Sequence, residues 1–184
     1  MAQPETLEIT SANALWDWLR QNHATSQGVR LITWKTAHPA KYVSREEVLD
    51  ALLAHGWIDG RRFVVDQDRT AQLITPRKQQ AWSDSYKTRV ARLRAEGRMH
   101  PAGEAAVQHA AAAGLWDFFA DVDRLDVPAD LAAVLDMAAW DALPPSYRRN
   151  VLRWIKLAKA APTRAKRISA TAQATAKGQR LPQM

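Results

Sequence analysis

The chain has 184 residues, 47% of them hydrophobic and 24% charged, with no cysteine and a formal net charge of +7. That balance suits a folded domain with a real core and excludes a disordered chain, while the lack of cysteine excludes a disulfide framework, a thiolate zinc site, an iron–sulfur cluster and a cysteine nucleophile. No apolar run approaches the ~20 residues of a membrane span, and the acidic start MAQPETLEIT lacks the pattern of a signal peptide, so a soluble cytoplasmic protein is expected.

Thr10 or Ser11 is placed to cap a first helix, with Leu15, Trp18 and Leu19 on one face and Gly28 after it. VRLITWK at 29–35 is β-branched and apolar on both faces, as a central strand is. Ser44 and Glu47 form a capping box ahead of Val48, Leu49, Leu52 and Leu53, and Gly56 stops that helix. WIDGRRFVVD at 57–66 predicts a strand with a bulge or turn at Asp59–Gly60. A short reversal then leads into TAQLIT at 70–75, ended by Pro76. After Ser83 the period changes to 3.6, with Tyr86, Val90 and Leu93 on one stripe up to Gly97. Pro101 opens an alanine-rich helix that ends at Gly114. Further helices are predicted at 128–138, at 144–160 behind Pro144–Pro145, and from about Pro162 to Lys177.

This order gives an α+β class: a small antiparallel sheet of about three strands packed with helices, followed by a helical C-terminal region. The chain reads as a single domain over 1–184, with an α+β core at 10–98 and a helical part at 99–184. The charge is unevenly spread. Residues 144–184 hold ten Lys or Arg and no Asp or Glu, whereas 99–143 set Arg124 alone against eight carboxylates. A basic tail of this kind suits either an external polyanion or the protein's own acidic segment.

No sequence motif marks a catalytic centre. His23, His38, His55, His100 and His109 show no helix-borne metal spacing, and no phosphate-loop or nucleophile-elbow glycine pattern occurs, so neither a metal nor a cofactor is expected. His55 with Asp59 is an acid–base pair on paper, although Asp-Gly at a turn serves backbone geometry as well. The most unusual stretch is TPRKQQAWSDSYKTR at 75–89, where Arg77, Lys78, Lys87 and Arg89 bracket Trp82 and Tyr86. Cations interleaved with aromatics suit a phosphate plus a flat ring; the alternative is that Trp82 plugs the core and the cations are solvated. Trp34 and Trp57 fall on neighbouring predicted strands and are expected to share the wall of one buried cluster, with Leu31, Ile58 and Val64 contributing. The candidate pocket is therefore Trp34, Trp57, Asp59, Arg77 and Trp82. The 144–160 helix carries Tyr147, Val151, Trp154 and Ile155 on one side. Its other side makes Arg149, Arg153 and Lys156, continued by Arg164, Lys166 and Arg167, the candidate polyanion strip.

HGWIDGRR, LITPRKQQAWS, RVARLRAEGRMHPAGEAAV and PPSYRRNVLRWIKLAKAAPTRAKRI together resemble the YdeI/OmpD-associated family, also labelled bacteriocin-protection proteins, over about residues 11–178. The segment SYRRNVLRWIKLAKAAPTRAKRI is also similar to the helical tail of YdhG-like α+β proteins. Tyr86 stands where that family usually has asparagine. The resemblance implies a small bacterial protein tied by name to bacteriocin or antimicrobial-peptide resistance; the first reading is a non-enzymatic protein that acts in such resistance or in a stress response through binding, and the last is an enzyme with a pocket around Trp34, Trp57 and Arg77. The alternative reading is a nucleic-acid or nucleotide binder that uses the 75–98 segment and the basic tail.

Overall fold

The computed structural model describes residues 5–182, so the first four residues of the acidic start lie outside the described residues. The architecture is α+β, with a four-stranded sheet packed with helices and a helical C-terminal region. The chain divides into two compact units, Met1–Asp117 and Phe118–Met184.

In the first unit, β1 (Thr6–Glu8), β2 (Val29–Trp34), β3 (Trp57–Val64) and β4 (Arg69–Pro76) form one sheet in the order β1-β2-β4-β3. The three long strands are those the β-branched runs predict. The fourth, β1, pairs in parallel with β2 from Thr6 opposite Arg30 to Glu8 opposite Ile32. A three-residue strand has too little alternation to announce itself, and it forms because β2 offers it an open edge. β4 pairs antiparallel with both β2 and β3, and the β3 register shifts between Asp59 and Arg62, where the Asp-Gly signal lies.

Four helices complete this unit. Ser11 caps α1 (Ala12–Asn22) by accepting from the Ala14 amide, and Leu15 and Leu19 are buried. α2 (Arg45–Ala54) starts at the predicted capping box, where Ser44 Oγ accepts from the Glu47 amide and the Glu47 carboxylate accepts from the Ser44 amide. Bonds from the Ser44 side chain and then its amide hold the Glu47 carboxyl below its ordinary range. Every residue from Val48 to Ala54 is buried, because α2 serves two cores. Val48, Ala51 and Leu52 pack with Leu15, Leu19, Leu31, Trp57 and Ile74; Leu53 and Ala54 pack with Trp82, with Val90 and Leu93 from α3 (Asp84–Ala95) and with Val107 from α4 (Pro101–Ala112). Buried Asp50 crosses between α2 and α3, accepting from Arg89 at 2.6 Å and from Arg92 at 2.7 Å. Gly56 turns the chain out of α2 at φ +73°, and a Cβ on Gly103 would lie 2.2 Å from the Ala54 carbonyl oxygen. That close approach requires glycine at the α2–α4 crossing.

The second unit contains α5 (Ala120–Asp123), α6 (Ala129–Ala132), α7 (Met137–Asp141), α8 (Pro145–Lys156) and α9 (Ala161–Ala176). The single helix predicted at 128–138 is instead α6 and the start of α7. Asp136 explains the break: its carboxylate accepts from the Ala139 amide and caps a new helix rather than continuing the old one. α8 ends at Lys156, short of residue 160, and the chain turns to an extended Ala160 (φ −94°, ψ 136°) before α9. On α8, Tyr147, Val151 and Ile155 are buried as the periodicity requires, Leu152 joins them, and Trp154 is half-buried.

Candidate functional site

Arg77 sits just beyond β4, where Pro76 closes the strand, and its amide extends the ladder by donating to the Gly56 carbonyl at 2.8 Å. Its guanidinium lies over the Trp82 ring at 4.0 Å and near the Tyr86 ring at 5.3 Å. Trp82 is 1% exposed, is held by its amide donating to the Leu115 carbonyl, and has Trp116 on its other side at 5.2 Å. Tyr86 comes from the first turn of α3 and donates its hydroxyl proton to Asp59 Oδ1 at 3.2 Å, so the β3 bulge supplies the acid. Arg77 Nη1 reaches the Gln80 carbonyl at 3.5 Å, while Nε and Nη2 are buried without any partner. Burial pulls the guanidinium down to about 10, with Tyr86 and Asp59 working in the opposite direction, so Arg77 stays charged at neutral pH. The Tyr86 hydroxyl is pushed up by burial first and Asp59 second.

The structure thus brings Asp59, Arg77 and Trp82 together, and adds Tyr86. Trp57 is buried at the same end of the sheet, opposite Pro76, with its ring edge-on to Trp18 at 5.6 Å and its indole N–H donating to the His23 carbonyl. Trp34 is elsewhere. It pairs with Arg69 at the other end of β4, half-buried under Lys41 at 4.2 Å, with its indole N–H on Glu8. The shared Trp34–Trp57 wall expected from neighbouring strands does not form, because β4 lies between β2 and β3 and the two indoles occupy opposite ends of it. Leu31 is buried and Ile58 half-buried, but Val64 is 75% exposed at the free end of β3.

His55 and Asp59 do not pair. His55 turns inward, with Nδ1 on the Ala51 carbonyl at 2.9 Å, and stacks on His100 at 4.9 Å; His23 completes the group at 4.6 Å from His100. The three rings sit at three helix ends: His23 and His55 at the C-caps of α1 and α2, His100 at the N-cap of α4, where Nδ1 accepts from the Ala102 amide. Burial, then the neighbouring His100, His23 and Arg20 charges, takes His55 down to about 4, while its bond to Ala51 acts the other way. His100 is lowered by burial, His23 and Arg20. Sequence spacing hides this cluster, since its members are tens of residues apart. Among the described residues no group of three or more histidines and carboxylates is arranged to hold a metal ion. Amide capping by His100 Nδ1 puts that ring's proton on Nε2, which removes one ligand atom.

Most of the cations singled out for a polyanion have partners within their own unit. Arg89 and Arg92 hold Asp50, Arg94 holds Glu104, and Lys87 holds Asp117. In the second unit, Arg149 and Arg153 flank Asp123 at 3.8 Å, Lys156 is 2.5 Å from Asp121, and Arg164 is 2.6 Å from Asp130. Arg167 donates to the Trp154 carbonyl and covers that indole at 4.9 Å. Lys166 is exposed. Within the second unit, Asp121, Asp123, Asp130 and Asp141 therefore engage the basic tail.

Comparison with known proteins assigns the two regions separately. Residues 7–106, more than half the chain, match the family described as Domain of unknown function (DUF8412). Residues 124–178 match the family described as Bacteriocin-protection, YdeI or OmpD-Associated. The YdeI/OmpD-associated likeness is thus narrower than the motifs suggest, since HGWIDGRR and LITPRKQQAWS fall within the first match, and the YdhG-like likeness of the tail has no counterpart in these matches. Searches of curated proteins and of solved structures return no match. Among the described residues no helix is long and apolar enough to cross a membrane. The chain belongs to the family described as Domain of unknown function (DUF8412), and its residues 124–178 match the Bacteriocin-protection, YdeI or OmpD-Associated family.

Proposed function

We propose that the protein is a cytoplasmic binding protein rather than an enzyme, that it serves bacteriocin or antimicrobial-peptide resistance, and that its site is the Asp59–Arg77–Trp82–Tyr86 box. The role is supported by the family that residues 124–178 match. The site is supported by one observation: a buried guanidinium whose Nε and Nη2 have no acceptor. Leaving such donors unmet costs roughly 1–3 kcal/mol or more, and a purely structural plug for Trp82 could be any apolar side chain. Nε and Nη2 lie on one edge of the guanidinium, and a carboxylate or phosphate offers two oxygens in the plane of that fork. The half-buried Tyr86 ring suits a flat organic body attached to the anion. Asp59 beside the fork favours a ligand with a single negative charge over a multiply charged one.

The test follows the Arg77 Nε–H and Trp82 indole resonances while benzoate or inorganic phosphate is titrated. Both resonances should shift with benzoate, and Arg77→Gln should abolish the response. Arg77→Lys should weaken it about tenfold or more, because an ammonium makes no in-plane fork. Unmoved resonances, or equal binding by Arg77→Gln, would discard the site. Protection of cells against a bacteriocin should fall with the same variant; undiminished protection would separate the site from the role. Tight, salt-sensitive binding of a nucleic-acid strand through the 75–98 segment and the basic C-terminal helices would instead favour the nucleic-acid alternative.

A further inference from the structure

We propose that the outer edge of β3 at Arg62–Val65 is a docking site for an extended acidic peptide segment, which adds to the sheet as a further strand beside β3. β3 pairs with β4 on one side only, so its other side is a sheet edge. The ladder fixes which backbone groups face outward. The Val65 amide donates to the Arg69 carbonyl, so the Val65–Arg69 and Phe63–Ala71 pairs are the hydrogen-bonded ones, and the N–H and C=O of Arg62 and Val64 point away from β4. Neither group has a backbone partner outside the sheet among the described residues. The side chains around this edge are apolar and open: Phe63 is 55% exposed, Val64 75%, Val65 43% and Leu73 42%. With Arg30 they line a hollow of about 570 Å³.

Natural sheets blunt an edge of this kind, and here the Asp59–Arg62 bulge does so towards the Trp57 end of β3, while Arg61 and Arg62 select against a cationic strand at the other. The unpaired charge around the open end is positive, since Asp66 is held by Arg69 and Asp68 by His38. Arg30, Arg61 and Arg62 are exposed and have no carboxylate within 4 Å among the described residues, while Arg69 beside them is already taken by Glu8 and Asp66. Main-chain pairing supplies affinity to any added strand, and the alternating side chains choose which one. Apolar residues of the added strand share the face of Phe63, and the carboxylates alternating with them share the face of Arg62. A second copy of this chain is disfavoured, since β3 laid antiparallel on β3 sets two arginines from each copy along one seam. This reading is independent of the Arg77 box.

The probe is an acetylated, amidated octapeptide of alternating glutamate and valine, with the lysine–valine octapeptide as its counterpart. Added to the full chain, the glutamate peptide should slow amide exchange at Arg62 and Val64 about tenfold and leave α2 unaffected. Val64→Pro removes an outward donor that serves no internal bond, and it should weaken binding about tenfold. If that variant does not fold, the Arg61→Glu, Arg62→Glu double variant decides: its preference should reverse to the lysine peptide. Equal binding of both octapeptides, or protection at other amides, would overturn the proposal. Protection of Arg62 and Val64 by self-association without peptide, or by an oligothymidylate in preference to the glutamate peptide, would overturn it as well.

Discussion

Asp50 offers the sharpest test of what joins α2 to α3. Its side chain is 10% exposed, and it accepts one hydrogen bond from Arg89 and two from Arg92. The Arg89 side chain is itself only 16% exposed. Asp50→Asn keeps the shape and one acceptor but removes the charge that neutralises two guanidiniums. Breaking a buried pair by deleting one partner costs about 3–5 kcal/mol. The lower end applies here, because Arg92 is 44% exposed and keeps Glu96, and Arg89 keeps Glu46. The expected loss is therefore about 3 kcal/mol, a large part of the ~5–15 kcal/mol that holds a domain together. Urea unfolding followed by circular dichroism should show the midpoint falling by about 1–2 M at unchanged slope. Asp50→Leu combined with Arg89→Met should recover most of it, since an apolar pair of similar volume removes the buried charges on both sides. A loss under about 0.5 kcal/mol for Asp50→Asn would show that the arginines are satisfied without it and would refute the clamp.

Two further outcomes follow from the buried imidazoles and the paired tail. The folded state favours neutral His55, whose pKa falls to about 4, so its stabilisation is complete above the unfolded histidine range near 6.5 and is lost as pH drops towards 4. After allowance for screening this amounts to about 2 kcal/mol, and His55→Gln should flatten the wild-type decline in urea midpoint between pH 7 and 4.5; an identical slope would exclude the histidine cluster as its source. The Arg149→Glu, Arg153→Glu double variant sets two like charges beside Asp123, whose Oδ1 is buried without a hydrogen bond, and should lower stability by about 2 kcal/mol; unchanged stability would mean the tail cations are free for an external anion.

Local features were legible in the sequence where local forces decide them. Ser11, the Ser44–Glu47 box, Gly56 and the bulge after Asp59 act within a few residues of themselves, and each is found where the residue pattern puts it. β1 and the α6–α7 break were missed for the opposite reason. One depends on a partner edge some twenty residues away, and the other on a single aspartate choosing a cap over a continuous helix. The α+β class survives such misses because it depends on which segments have period two and which have period 3.6, and the long segments of both kinds are unambiguous.

The candidate site divides along the same line. Arg77, Trp82 and Tyr86 lie within one short stretch, so their interleaving already suggested a cation among rings, and Asp59 joins them because β3 and β4 form the predicted hairpin. Trp34 does not join because strands adjacent in sequence are not adjacent in the sheet; β2 pairs with β4, and the register carries Trp34 to the far end. In the sequence the basic tail suits an external polyanion and the chain's own acidic stretch equally, because block charge states sign but not distance. Once α5 and α8 are in place the distance is set, and Asp121 and Asp123 meet Lys156, Arg149 and Arg153 within the same unit. Arg30, Arg61 and Arg62 differ in kind: they are exposed and have no carboxylate within 4 Å among the described residues, which leaves them open to an external anion.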